Sequence, residues 1–220
     1  MGLTALAAVG LAAALDAALS EPPGRVHPIA LFGRVVGVID REWTRPRAVG
    51  VAAAVGLPPA FAAVAWGVVV GTAGAAAGFG DLIAPVATAV VAGLALFSLT
   101  SLRMLVAVAS DVIEATERDA DAARESAIAL VGRDTSSLSA AGIRSAAVES
   151  AAENLADGLV APLSAFALGA QVSVAVGVAA AAWVKAVNTL DSMLGYPDRS
   201  IGTASARLDD AGMWVPARVS

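Results

Sequence analysis

Cysteine is absent from the 220-residue sequence, and only 15% of its residues are charged. Without cysteine the chain can form neither disulfides nor thiolate metal sites. A soluble domain usually has about a quarter charged residues, so the low charge disfavours a soluble protein. Lysine occurs once, at Lys185, among 14 basic residues. No GxxxxGK[ST] motif is present, so a P-loop nucleotide site is excluded.

Long apolar segments separate the charged parts of the chain. They cover about residues 1–19, 58–77, 82–102 and 159–184. A helix needs roughly 20 apolar residues to cross the hydrocarbon core of a membrane. The first segment has no basic start and no small-residue cleavage site, which favours a retained helix over a signal peptide. We therefore expect an all-α fold, a polytopic membrane helical bundle with cytoplasmic amphipathic helices, forming a single domain over 1–220.

The arginines predict the orientation of this bundle. Five lie between Glu21 and Arg47, and five more between Arg103 and Asp157. If the two middle segments each cross once, both arginine-bearing regions lie on the same side of the membrane. Basic residues concentrate in cytoplasmic loops. Residues 20–48 and 103–158 are therefore predicted to be cytoplasmic, in a multi-pass protein of the cell membrane.

Local signals predict where individual helices begin and end. Proline is tolerated in the first turn of a helix, so the second crossing should start near Pro58 and run to Ala77. An amphipathic helix is predicted over 103–131, either separate from the third crossing or continuous with it. A further helix is expected from Ala140 to Asp157, with serine and threonine as N-caps before it and Gly158 as its end.

The apolar segment from Gly158 to Val184 allows two interpretations. It can cross the membrane once, or it can turn at Gly169 and return as a re-entrant hairpin of two short helices. Each half would then be too short to span, and the backbone at the turn would have to pack against protein or a cavity. Periodicity does not decide between the two.

Two strips of oxygen-bearing side chains flank this segment. Glu149, Glu153 and Asp157 are four residues apart, so they share one helical face although like charges at that spacing oppose helix formation. After the segment, Asn188, Asp191 and Ser192 share another face. Mg²⁺ is bound by one or two carboxylates together with phosphate oxygens, which is what the two strips would supply. The alternative is an ordinary helix end with polar caps.

Polar loops contribute further candidates. In "GRDTSS", Arg133, Asp134 and Thr135 precede a predicted helix start, where free N–H groups suit a phosphate. The alternative is a plain capping loop. "DAALSEPPGRVHP" contains Glu21 and the only histidine, His27, for which a structural loop role is the default. "SARLDDAGM" offers Arg207, Asp209 and Asp210, for which an exposed amphipathic turn is the default and substrate binding the alternative.

Four long strings resemble, in order, the CobD/CbiB family of adenosylcobinamide-phosphate synthases from cobalamin biosynthesis. They are "LDAALSEPPGRVHPIALFGRVV", "VGRDTSSLSAAGIRSAAVESAAENLADGLVAPL", "KAVNTLDSMLGY" and "ASARLDD…VPARV". The resemblance implies a membrane ligase that joins aminopropanol, or its phosphate, to a propionate carboxylate of adenosylcobyric acid, using ATP and Mg²⁺. Family members usually continue past "VPARVS" with further apolar segments, so a truncated or split form is expected.

The resemblance implies a role for each of the candidate residues. The acids expected to be catalytic are Glu153, Asp157, Asp191 and Asp134, and the metal ligands expected are Glu149, Glu153, Asp157 and Asp191. The residues expected to bind substrate are Arg133, Thr135, Asn154, Asn188, Ser192, Arg207, His27 and Glu21. A general base must take a proton from the attacking amine. Asp134 and His27 both remain candidates for it.

The expected partners follow from the same resemblance. They are the corrinoid substrate, aminopropanol or its phosphate, membrane lipid and other late enzymes of the corrinoid pathway, with no nucleic acid. Two rival functions are a non-catalytic scaffold or regulatory paralogue of the family, and a transporter. The acids lie at segment edges and in loops, with only Asp16 near a crossing, so transport is disfavoured.

Overall fold

The computed structural model of the protein describes residues 2–20, 22–118, 124, 127, 138–196 and 199–213. These residues form helices and turns without any strand. The first four helices are α1 (Gly2–Leu19), α2 (Pro28–Ile39), α3 (Pro46–Ala76) and α4 (Ile83–Leu99). They are followed by α5 (Leu102–Arg118), α6 (Ala140–Leu155), α7 (Ala161–Gly169), α8 (Val174–Leu194) and α9 (Thr203–Met213). The all-α fold class is confirmed.

Four stretches of helix are long and apolar enough to cross a membrane: Gly2–Leu19, Pro46–Phe79, Ile83–Arg118 and Val174–Leu194. Large apolar side chains such as Leu3, Val55 and Leu168 are exposed on the helices. Apolar outer surfaces of this kind suit a lipid environment, because a soluble monomer rarely exposes large apolar patches. The chain is therefore a membrane protein with a helical bundle, as the sequence predicts.

The bundle is held together by small and medium apolar side chains. One core joins α1, α4, α7 and α8 around Ala8, Leu96, Phe166 and Val178. A second core joins α2, α3 and α8, where the rings of Phe32 and Phe61 lie 5.0 Å apart between centroids. Residues of α8 belong to both cores, so this helix is the central element against which the others pack.

The predicted start of the second crossing at Pro58 is wrong. Helix α3 begins twelve residues earlier, with Pro46 in its first turn, and it contains Pro58 and Pro59 in its interior. Each internal proline removes one i→i−4 hydrogen bond. Membrane helices tolerate this loss where neighbouring helices support the backbone. Pro58 is fully buried, so packing keeps the helix continuous there.

The third crossing and the amphipathic helix are separate. Helix α4 ends at Leu99, and α5 begins at Leu102 after an extended Thr100. The carboxylate of Asp16 on α1 accepts the backbone N–H groups of Leu102 and Arg103, both at 3.1 Å. Asp16 therefore caps the new helix from outside it. Most of the predicted continuation to residue 131 lies outside the described residues.

Helix α6 begins where the sequence predicts but does not end at Gly158. Ser139 is its N-cap, and the Ser139 hydroxyl accepts the N–H of Gly142 at 3.1 Å. At the other end the chain passes through a π-helical turn, Ala156–Val160, and continues directly into α7. Gly158 is buried in this turn, and its carbonyl accepts the N–H of Ser101 at 3.3 Å. Gly158 thus packs against the α4–α5 break and does not terminate a helix.

Candidate functional site

Residues 158–184 contain a tight turn between two helices, which pack against each other as a hairpin. Helix α7 ends at Gly169, the chain turns, and α8 begins at Val174, with Ser173 accepting the N–H of Val176 at 3.1 Å. A Cβ on Gly169 would lie 2.8 Å from the Cα of Gly177. Only glycine permits so close an approach of the two helices. The predicted turn at Gly169 is confirmed, and a single continuous helix over 158–184 is wrong. The expected two short helices are found only in part, because α8 has 21 residues and is long enough to cross a membrane. Re-entry into the membrane stays a prediction.

The hairpin brings the two predicted strips into contact. Asn188 on α8 donates a hydrogen bond of 2.6 Å from Nδ2 to Oδ2 of Asp157, which lies in the π-helical turn. Burial raises the pKa of Asp157, while the hydrogen bond from Asn188 and the charge of Lys185 oppose that rise. A π-helical turn inserts one extra residue into a helix, and such turns are frequent at functional sites.

Helix α9 adds a third wall. Ser205 is buried, and its hydroxyl lies 3.4 Å from Oδ1 of Asp191 and donates to the carbonyl of Gly202 at 2.9 Å. Asp209 follows Ser205 by four residues, which places both on one face of α9. The exposed turn expected around Arg207 is therefore a helix docked on the end of α8.

Asp209 is the most perturbed acid of the site. Burial first, and then the charges of Asp157, Asp191, Asp210 and Glu153, raise its pKa to about 7. Four further carboxylates are thus close enough to influence one side chain. The sequence offers Asp209 only as an acid of the "SARLDDAGM" stretch with possible substrate binding, and gives it no catalytic or metal role.

The acidic side chains of the site suit a Mg²⁺ ion that is also bound by phosphate oxygens better than a Mg²⁺ ion bound by protein side chains alone. Within the described part of the chain, no three or more His, Asp or Glu side chains are arranged to hold a metal ion. Mg²⁺ commonly uses one or two carboxylates and completes its shell with water and phosphate oxygens. Asp157 and Asp191 would suit that mode. The full predicted set of Glu149, Glu153, Asp157 and Asp191 stays a prediction.

Some predicted side chains lie at the edge of the site. Asn154 donates to the carbonyl of Ser150 at 2.8 Å, and the Ser192 hydroxyl donates to the carbonyl of Asn188 at 2.9 Å. Both bonds stay within one helix. Glu149 and Glu153 are exposed on α6, and of these two Glu153 acts electrostatically on Asp157. The substrate roles predicted for Asn154 and Ser192 remain predictions.

A cleft of about 370 Å³ is lined by His27, Thr100, Ser101 and Lys185 together with apolar residues. Ser101 donates its N–H to the carbonyl of Gly158, the residue after Asp157. Lys185 on α8 is one helical turn before Asn188 and is half-buried. His27 is the N-cap of α2, and its Nδ1 accepts the N–H of Ile29 at 3.2 Å. His27 therefore has a structural role in its loop, as the sequence predicts. Lys185 carries no signal in the sequence beyond being the only lysine.

Comparison with known proteins shows the family to which this chain belongs. The family model described as CobD/Cbib protein matches residues 9–220. The chain belongs to the CobD/CbiB family. Relatives named cobalamin biosynthesis protein CobD, in one case as probable, occur in Methanothrix thermoacetophila, Geobacter metallireducens and Klebsiella pneumoniae.

The similarity to these relatives extends over nearly all of the chain. The identities are 34%, 36% and 36%, covering 96%, 97% and 94% of this chain. The same alignments cover 67%, 65% and 63% of the relatives, so the chain spans about two thirds of their length. No solved structure matches the chain.

The remaining predicted residues of this CobD/CbiB chain lie apart from the acids or outside the described residues. Arg207 lines a different groove of about 600 Å³, together with Arg47, Ser200 and Thr203. Glu21, Arg133, Asp134 and Thr135 lie outside the described residues. Their predicted roles, including that of Asp134 as a base, stay predictions.

Proposed function

We propose that this chain forms the site at which an amino alcohol is joined to a corrinoid acid. The product would be adenosylcobinamide or its phosphate, made by amide formation between aminopropanol, or aminopropanol phosphate, and a propionate carboxylate of adenosylcobyric acid. The observation that carries the proposal is the hydrogen bond between Asn188 and Asp157. This bond joins residues of two strings that carry the family resemblance, and the apolar turn between α7 and α8 separates the two strings in the sequence.

The proposed reaction needs an activated carboxylate. The γ-phosphoryl group of ATP would pass to a carboxylate oxygen and ADP would leave. The amine would then attack the carbonyl carbon, phosphate would leave, and the nitrogen would lose its extra proton. A bound Mg²⁺ would neutralise charge on the phosphate oxygens. Asp157 and Asp191 are the residues proposed to hold it, and Asn188 orients Asp157 for that task.

The ammonium form of the substrate must lose one proton to become the attacking amine, and we assign the removal of this proton to Asp209. A general base works best when its pKa is near the working pH. Without a bound cation, burial and the neighbouring charges of Asp157 and Asp191 raise the pKa of Asp209 to about 7. The burial contribution persists when a cation neutralises those charges. Among the earlier candidates, His27 already uses Nδ1 to cap α2. Asp209 also attracts the ammonium form of the substrate before the proton moves.

The proposed site faces the cytoplasm, where ATP is available. The two ends of the hairpin meet at Asp157 and Asn188, so both must lie on the same side. Helix α7 has nine residues, or about 14 Å, which is too short to cross a membrane core of about 30 Å. The hairpin is therefore proposed to enter the membrane and return.

The experiment is an assay of purified protein in lipid nanodiscs. Wild-type protein receives adenosylcobyric acid, ATP, Mg²⁺ and aminopropanol phosphate, and the amide is detected by mass spectrometry. Product is expected from the wild type and strongly reduced product from Asp191→Asn and Asp209→Asn. Full product formation by both variants would contradict the site. Absence of product from the wild type, even with the C-terminal third of a relative co-expressed, would contradict the function.

A further inference from the structure

Lys185 is an unusual residue for its position. It is the only lysine of the chain, and it lies half-buried inside α8, within a stretch apolar enough to cross a membrane. An ammonium group at such a position is costly unless it meets opposite charge or water. Ionisable residues in membrane segments are therefore functional candidates by default. None of the roles given above uses Lys185.

The surroundings of Lys185 include an acid and a cleft. Toward the π-helical turn, its charge acts on Asp157. Lys185 also lines the cleft that contains His27, Thr100 and Ser101. An ammonium carries three N–H donors and can therefore bind several acceptors at once. Lys185 thus connects the cleft with the acidic side chains.

The electrostatics of the site explain why a cation is needed there. Asp157, Asp191 and Asp209 form a negative region, which repels any substrate carboxylate or phosphate. Amide formation nevertheless requires such a group to come close to them. A positive charge at the boundary between cleft and acids would offset that repulsion. Lys185 lies at this boundary.

We propose that Lys185 is an anion-binding residue, which holds a carboxylate or phosphate group in the cleft that it lines with Thr100 and Ser101. The hydroxyl-bearing residues Thr100 and Ser101 border the same space. Asp16 fixes this wall, because it caps α5 directly after Ser101, and Ser101 in turn donates its N–H to Gly158. The identity of the anion as the corrinoid carboxylate or a substrate phosphate rests on the proposed function. The anion site itself does not.

A single lysine allows a residue-specific test without turnover. Reductive methylation of the purified protein in nanodiscs is followed by mass spectrometry of the peptide that contains Lys185. The probes are adenosylcobyric acid, aminopropanol phosphate and pyrophosphate, each added alone against chloride at equal ionic strength. A probe at ten times its Kd should slow methylation about tenfold, because roughly one site in ten stays empty.

An added reference lysine makes this measurement internally controlled. Arg144 is exposed on α6, where its Nε donates to the carbonyl of Ala140, and it is not among the residues that line the cleft. The R144K protein therefore gains a lysine away from the cleft. Protection of Lys185 but not of position 144 supports the proposal. Protection by adenosylcobyric acid identifies a carboxylate, and protection by the phosphate probes identifies a phosphate. No protection by any probe, or equal protection of both lysines, overturns it.

Kinetics separate this inference from the proposed function. In Lys185→Gln the KM for the bound anion should rise about tenfold or more, since charge-assisted hydrogen bonds are stronger than those between neutral groups. Lys185→Arg, which keeps the charge, should recover much of that loss. An unchanged KM in Lys185→Gln would overturn the anion site and leave the function standing. Protection of Lys185 by a probe, without any product in the assay, would support the anion site and contradict the proposed function.

Discussion

Asn188 and Asp157 are 31 residues apart in sequence, yet Nδ2 of Asn188 lies 2.6 Å from Oδ2 of Asp157. The contact exists because α7 and α8 form a hairpin whose turn lies far from both residues. Asp191, one turn further along α8, is bonded in turn to Ser205 of α9. Three separate parts of the chain therefore converge on one group of carboxylates.

Asp209 should make the stability of the protein depend on pH. Its pKa is about 7 in the folded protein and near 3.8 in an unfolded chain, so the folded state binds a proton more tightly. The associated stabilisation is complete below about pH 4 and is lost as the pH rises through 7. Asp209→Asn should remove this dependence, giving a Tm above that of the wild type by a few degrees at pH 8. Thermal unfolding followed by tryptophan fluorescence measures it.

The matched control for the pH experiment is Asp81→Asn, in the exposed link before α4. This variant should keep the pH profile of the wild type. Equal profiles for the wild type and Asp209→Asn would mean that Asp209 has no raised pKa, and would remove it as the proposed base.

Asp16 should stabilise the junction between α4 and α5. In Asp16→Ala, the N–H groups of Leu102 and Arg103 lose the carboxylate that accepts them. Loss of such a cap should lower the free energy of unfolding by about 1–3 kcal/mol. Faster hydrogen exchange at these two amides should accompany it. Asp111→Ala, on the exposed face of α5, is the control, and equal effects of the two variants would refute the capping role.

Gly177 should be required for the hairpin. A Cβ at this position would lie 2.8 Å from the carbonyl oxygen of Phe166 and 2.9 Å from its ring. Gly177→Ala should therefore push α7 away from α8, at a cost of about 1–3 kcal/mol for overpacking. Gly71→Ala is the matched control, since nothing lies within 4 Å of a Cβ there. A Tm for Gly177→Ala equal to that of the control would contradict the close packing.

Orientation in the membrane can be tested with single cysteines, because the natural chain has none. Glu42→Cys and Tyr196→Cys should react with a membrane-impermeant maleimide only after cells are permeabilised. Asp81→Cys should react in intact cells. The ion pair between Asp40 and Arg199 places the first two positions on the same side. Labelling of Tyr196→Cys from outside would place the hairpin ends on opposite sides and contradict the shared site.

Much of this arrangement follows from sequence patterns, and the exceptions have physical causes. Charge-free segments predict the crossings, and four-residue spacing predicts the strip that contains Asp157. The start of α3 is missed because buried Pro58 is supported by packing, which local rules do not include. The burial of Asp209 among the other acids is missed because it depends on α9 docking through Ser205. Gly158 looks like a helix end, but a π-helical turn continues through it.

The most direct test of a shared site is a double-mutant cycle between Asp157 and Asn188. Product formation is compared among wild type, Asp157→Asn, Asn188→Ala and the double variant, with Gln171→Ala in the hairpin turn as a distant control. Residues in direct contact within one network show interaction energies of about 0.5–3 kcal/mol. We predict a coupling of at least about 1 kcal/mol between Asp157 and Asn188, and none between Asp157 and Gln171. Additive effects of Asp157→Asn and Asn188→Ala, or wild-type activity in Asn188→Ala, would contradict the account.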